Sequence, residues 1–280
     1  MKILLHTHIT SRTSRHLHSS PFRFAVGAAL AAFLILFSSS IQAQLLTDDF
    51  SDGNDTLNPT WTHLSGYVNS TGQAWLVGGG TNPPAAYRLL APSGGINGFG
   101  FVGSHTGPSI ADVRVETDFI NFFSPGVNPA FGVAARLNGN NTTLGLTGYG
   151  YAYEPFAASG QGEMVLYYLD NTLVHDIGSQ AVTLDPAKDY RFVLEIVGTS
   201  LHGQVCEIGG GMVAERFATD SRYASGSSGV FGYTTTGFPD VDFTVDNFAV
   251  TAVPEPGVSL LMGLGVVAFI FGRRAWQKRS

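Results

Sequence analysis

Tyr149, Tyr151 and Tyr153 stand at every second position of the segment 144–153, with Gly148, Gly150 and Ala152 between them. On an extended strand that spacing puts the three rings on one face, roughly 6.6 Å apart, and the small residues on the other. Such a row is a platform on which pyranose rings stack while the phenol groups bond sugar hydroxyls; the same pattern also fills the core between two sheets. Trp61 and Trp75 face the same choice. Glu116 and Asp118 are the other spacing with chemical potential, because two carboxyl groups about 5 Å apart are what retaining glycoside hydrolysis needs. The histidines His63, His105, His175 and His202 are scattered, without His-x-x-x-His spacing, so no metal-hydrolase pattern is present. Gly209-Gly210-Gly211 is followed by Met212-Val213, not by the lysine and hydroxyl of a phosphate cradle, and is read as a loop. Cys206 is the only cysteine, which excludes an intramolecular disulfide and a thiolate zinc cluster.

The elements that must hold these residues are short alternating runs. In 111–119, Val113, Val115 and Phe119 face one way and Asp112, Arg114, Glu116 and Asp118 the other, which predicts a half-buried strand. Tyr190, Phe192, Leu194 and Ile196 alternate in the same way, and Gly198-Thr199-Ser200 turns the chain into a second strand, 201–206. Further strands are expected over 75–77, 87–91, 98–102, 131–137, 144–153, 164–170, 230–233 and 241–251. No stretch sustains a period of 3.6. A dozen or so strands punctuated by Gly, Asn and Asp predict an all-β, antiparallel two-sheet sandwich over 44–252.

Both ends differ from this body. Lys2, Arg12, Arg15 and Arg23 precede the apolar run 24–37 and then Ser38-Ser39-Ser40-Ile41-Gln42-Ala43, the charged, apolar, small-residue order of a signal peptide over 1–43. At the other end, Pro254-Glu255-Pro256 leads into the apolar run 257–272 and then Arg273, Arg274, Lys278 and Arg279. Sixteen apolar residues make a helix of about 24 Å, just enough to span a membrane, and the cations after it stay cytoplasmic. Between the two ends, 20 acidic residues face 7 basic ones, a net charge of −13. A body so acidic lacks the basic footprint that nucleic acid or an anionic lipid surface demands. It fits an extracellular domain or one that takes up divalent cations.

The tail over 253–280, with its Pro-Glu-Pro triplet, short helix and basic cluster, resembles the PEP-CTERM sorting signal of exopolysaccharide-producing Gram-negative bacteria. That resemblance implies a signal helix and a transmembrane sorting helix flanking the sandwich. It also implies passage through the secretion translocon and inner membrane, processing by exosortase, and a destination at the cell surface or in the extracellular matrix. The body carries a second resemblance. The opening Asp48-Asp49-Phe50-Ser51-Asp52-Gly53, the central Gly148-Tyr149-Gly150-Tyr151-Ala152-Tyr153, the 189–203 hairpin and the closing Val245-Asp246-Asn247-Phe248-Ala249-Val250 are similar to concanavalin A-like lectin/glucanase jelly rolls. The resemblance implies pairing of the first and last strands. It implies a structural calcium ion at Asp48, Asp49 and Asp246, with solvated turn carboxylates as the alternative. Glucanases of that kind carry Glu-x-Asp-x-x-Glu on one strand. Here Glu116 and Asp118 match, but Asn121 stands where the last Glu is required. The expectation is therefore an exported, non-catalytic module that binds exopolysaccharide. The alternatives are a structural matrix or adhesion protein, and a degenerate glycoside hydrolase.

Overall fold

The computed structural model describes residues 43–64, 72–78, 86–93, 99–122, 129–139, 146–155, 161–171, 173–235 and 239–254, all within one compact unit, Ser40–Val258. The leader and the Pro254-Glu255-Pro256 tail with Arg273 and Arg274 lie outside these residues, apart from Pro254 itself. The described chain is all β. In order it forms β1 (Ala43–Asp48), β2 (Thr62–His63), β3 (Ala74–Val77), β4 (Tyr87–Ala91) and β5 (Phe99–Ile110). Then come β6 (Val113–Phe122), β7 (Pro129–Asn138), β8 (Leu146–Glu154), β9 (Glu163–Asn171) and β10 (Leu173–Ala181). The last five are β11 (Tyr190–Val197), β12 (Ser200–Glu207), β13 (Met212–Thr219), β14 (Gly226–Thr235) and β15 (Val241–Ala252).

Two antiparallel sheets result. Sheet A runs β13-β12-β11-β6-β15-β4-β3, with β1 also paired to β15, and sheet B runs β10-β9-β8-β7-β14-β5-β2. The first and last strands pair as expected, Asp48 opposite Phe248. Val113, Val115, Phe119, Phe192, Leu194 and Ile196 of sheet A face Val133, Tyr151, Leu166 and Val230 of sheet B in one apolar core. The period-2 alternation read from the sequence produces this, since an extended chain sends successive side chains to opposite faces. The β11–β12 hairpin closes with Val197 opposite Ser200 across Gly198-Thr199, and Gly198 takes φ +56°. That left-handed backbone matches the twist of the flanking strands and favours glycine.

Two of the register shifts redirect side chains. The register of β15 against β6 shifts between Asp246 and Ala249, with Asn247 at φ +52°, so that Val245 and Phe248 both point into the core. In β7 the shift falls between Ala135 and Asn138, and Arg136 adopts φ +52° there. Its guanidinium is buried and donates to the carbonyls of Ala111 (2.6 Å), Gly198 (2.9 Å) and Tyr223 (2.8 Å), each on a different connection.

Candidate functional site

The tyrosine row on β8 lies inside the sandwich. Tyr149 and Tyr151 are 0 % exposed and Tyr153 is 1 % exposed, so of the two readings of the row the core one holds and the candidate stacking platform is corrected. Their face looks toward sheet A, and sheet A is shaped to receive it: the ring of Tyr151 lies where a Cβ at Gly203 would sit, 2.4 Å away. Tyr149 donates to Asp220 Oδ1 at 2.7 Å, and Tyr153 accepts from the Leu184 amide at 3.1 Å. Tyr151 finds no partner for its hydroxyl. Trp61 is likewise buried against Phe50, Tyr87 and Phe248. Trp75 is half-buried, stacked on His63 at 4.3 Å.

The carboxylates expected to share calcium do not converge. Asp48 is buried and already accepts from Trp61 Nε1 at 2.7 Å and from the Phe50 amide at 2.8 Å, and burial raises its carboxyl above the ordinary value. Asp49 accepts from the Ser51 amide and Asp246 from the Asn247 amide. Asp246 does sense the charges of Asp118 and Asp49, behind the larger effect of its own desolvation. Among the described residues no group of three or more His, Cys, Asp or Glu side chains is arranged to hold a metal ion. These three do not fit one, because a hard cation needs several free oxygens aimed at a common point. Glu116 and Asp118 lie on the outer face of sheet A and are tied to arginine. Arg114 reaches Glu116 at 3.1 Å, and Arg191 grips both oxygens of Asp118 at 2.7 and 2.9 Å.

The most developed polar constellation lies on the outer face of sheet B and was missed in the sequence. The residues between the tyrosines, Gly150 and Ala152, share this face with Ala134, Val165, Leu169 and Phe231, a second apolar cluster distinct from the inter-sheet core. The ring of Phe231 lies against Gly150, 2.9 Å from where its Cβ would stand. At one end of this floor, the hydroxyls of Tyr167 on β9 and Tyr233 on β14 both donate to Glu154 Oε1 on β8, and lie 2.9 Å from each other. Tyr167 is fully buried, and Glu154 and Tyr233 are partly buried. Burial first, then the neighbouring Glu154 charge, holds the Tyr233 phenol well above its ordinary value; Tyr167 is raised for similar reasons. Both therefore remain hydrogen-bond donors. Glu163 sits directly opposite Glu154, and Asp176 directly opposite Tyr167 on β10. The available signal was parity: Glu154 follows the glycine-alanine set along the strand, not the tyrosine set. Its convergence with Tyr233, 79 residues away, was not readable locally.

No protein-family model matches the chain, and no curated protein matches it. Solved structures do. The basic winged bean lectin with Tn-antigen superposes with a TM-score of 0.51 at 9 % identity, over 75 % of this chain and 98 % of that one. The exoplasmic/lumenal domain of VIP36, in its Ca2+/Man3GlcNAc-bound form, gives 0.51 at 9 % identity over 75 % and 88 %. A Bacillus subtilis protein of unknown function with a galectin-like fold gives 0.48 at 14 % identity over 76 % and 98 %. The winged bean lectin and VIP36 superpositions define the class by its fold: an all-β, antiparallel two-sheet sandwich of the jelly-roll kind.

Proposed function

We propose that this chain is an exported protein whose sandwich binds glycan without catalysis, through the Glu154, Tyr167 and Tyr233 end of the outer face of sheet B. The observation that carries the reading is one carboxylate held by two phenol hydroxyls beside an apolar floor. That is the kind of oriented polar group beside apolar side chains that sugar recognition uses. The superposed winged bean lectin and VIP36 domain, whose structures contain Tn-antigen and Man3GlcNAc, share this fold and support the class of ligand. The absent third carboxylate at Asn121, and the arginine partners of Glu116 and Asp118, speak against a hydrolase on β6. The charged leader and the Pro254-Glu255-Pro256 tail support export by the translocon, sorting by exosortase and residence at the cell surface or in an exopolysaccharide matrix. A structural matrix protein is the second reading. It is favoured by the burial of Phe101, Phe231 and Tyr167 on the same face.

The test is retention of the full-length protein, in detergent, on exopolysaccharide from a producing strain. Wild type is expected to be retained, and Tyr233→Phe and Glu154→Gln to lose about tenfold in affinity each while melting near wild type, since one charge-assisted hydrogen bond is worth about 1.5–3 kcal/mol. Wild-type retention in both folded variants, or none in wild type, would move the structural reading ahead.

A further inference from the structure

Resting on the export half of that reading, we infer that Asn54 is an acceptor for N-linked glycan, taken from a donor whose sugar is bound through its anomeric carbon to a pyrophosphate. The sequence carries the Asn-x-Ser/Thr spacing, with no proline between, at four places: Asn54-Asp55-Thr56, Asn69-Ser70-Thr71, Asn140-Asn141-Thr142 and Asn141-Thr142-Thr143. Only the first has a carboxylate two residues before the asparagine, Asp52; Tyr67, Asn138 and Gly139 stand at that place in the others. The first is also the one whose asparagine falls among the described residues. It lies on the connection between β1 and β2, where Asp52, Thr56 and Leu57 are exposed and Asn54 is partly exposed.

Asp52 and Thr56 act on the two ends of one amide there. Asp52 accepts from the Asn54 backbone amide at 3.1 Å and, through its other oxygen, from Asn54 Nδ2 at 2.9 Å. Asn54 Oδ1 accepts from the amides of Thr56 at 3.1 Å and Leu57 at 2.9 Å, and from Thr56 Oγ1 at 3.4 Å. The two ends of the side-chain amide are thereby told apart, since only its nitrogen donates to a carboxylate and only its oxygen accepts from backbone N–H groups. Turn closure by asparagine uses the oxygen alone, so the bond from Nδ2 to Asp52 is an addition that the turn does not require. An amide nitrogen is a poor nucleophile because its lone pair is delocalised into the carbonyl. A carboxylate on the N–H and donors on the oxygen counter this: as the proton leaves Nδ2, the negative charge that develops on Oδ1 already faces three donors. In the step, Nδ2 bonds to the anomeric carbon while the bond from that carbon to the pyrophosphate oxygen breaks. Its electron pair leaves with the pyrophosphate, and the Nδ2 proton passes to Asp52. The product keeps Oδ1 and its three donors, so the loop has no need to refold.

The experiment gives the purified full-length protein, in detergent, to a bacterial oligosaccharyltransferase with a lipid-pyrophosphate-linked oligosaccharide, and reads occupancy at each asparagine from peptide masses. One glycan is expected, on Asn54, and none on Asn54→Gln. Asp52→Asn is expected to slow transfer about tenfold or more, the worth of one charge-assisted hydrogen bond. Thr56→Ala is expected to slow it as well, while Thr56→Ser, which keeps the hydroxyl, restores it. These side chains lie on an exposed loop, so each variant is expected to melt near wild type. No glycan on Asn54, or transfer to Asn69, Asn140 or Asn141 in its place, overturns the inference. Undiminished transfer to Asp52→Asn and Thr56→Ala overturns it too. The product recovered from an exopolysaccharide-producing strain supplied with the same transferase and donor separates the inference from the reading it rests on. An exported chain bare at Asn54 overturns the inference alone. A chain that accepts glycan when purified but is never exported overturns the export reading and leaves the acceptor standing.

Discussion

Tyr151 separates two ways in which a buried tyrosine acts. Its ring packs flat on Gly203, while its hydroxyl sits in the core without a partner. An unpaired buried hydroxyl costs about 1–3 kcal/mol, whereas the ring fills volume that no neighbour can replace. Tyr151→Phe is therefore expected to melt at or above the wild-type temperature, and Tyr151→Ala to lose about 3–5 kcal/mol. A Phe variant that melts well below wild type would show a hydrogen bond where none is drawn. His105 gives the second residue-scale expectation. Its Nδ1 lies 2.8 Å from Ser227 Oγ, and burial holds the imidazole below its ordinary value of 6.5. With the folded value depressed, the unfolded chain binds the proton first. The stabilisation is whole above 6.5 and is lost as pH falls from there through the folded value. The raised carboxyls of Asp48 and Asp246 act in the opposite sense: their contribution is whole below 3.8 and declines as pH rises through the folded values. Comparing wild type with His105→Gln isolates the histidine. Between about pH 7 and about pH 5 the melting temperature of wild type should fall further than that of the variant, and parallel curves would remove the assignment.

Among the elements, β7 has the most to lose from one residue. Its bulge turns Arg136 inward, and the guanidinium joins the β5–β6 turn, the β11–β12 turn and the chain after β13 through Ala111, Gly198 and Tyr223. Asp112 faces the same group at 3.4 Å and also accepts from the Gly198 amide at 2.7 Å. A lysine cannot reach three carbonyls in a planar fork, so Arg136→Lys leaves backbone acceptors and a carboxylate unsatisfied. We expect a loss of about 3 kcal/mol or more, read as a lower urea midpoint with an unchanged slope. A change under about 1 kcal/mol would mean that water substitutes for the guanidinium. The strands themselves were largely legible: 87–91 is β4, and 131–137, 164–170 and 241–251 fall within β7, β9 and β15. The two-residue β2, β10 and β13 were not anticipated. Leu173–Ala181 alternates poorly around its bulge, and Met212–Thr219 exposes Met212 and Phe217 at 55 % and 58 %, so neither presents a clean apolar face.

The expectation about the fate of the whole molecule is carried by its two ends. Replacing Pro254, Glu255 and Pro256 by alanine should leave the full-length chain in the inner membrane, while wild type yields a shorter exported product. Intact mass of the protein recovered from cell fractions reads this directly. Export and trimming of the triple variant like wild type would remove the sorting assignment.

Composition and alternation alone determined the class of fold, because a period-2 pattern, turn glycines and the absence of helical periodicity leave a chain of this length few ways other than a sandwich to bury its apolar faces. They also determined that the body is acidic and that its single cysteine closes off an intramolecular disulfide. Which face of β8 meets the core was decided only by tertiary structure. A strand alternating tyrosine with glycine and alanine offers two surfaces, and the choice between them depends on what the opposite sheet presents, here Gly203 beneath the Tyr151 ring. The same holds for Glu154. Its two phenol partners come from strands on either side of the sheet centre, and only long-range strand order sets them on one oxygen.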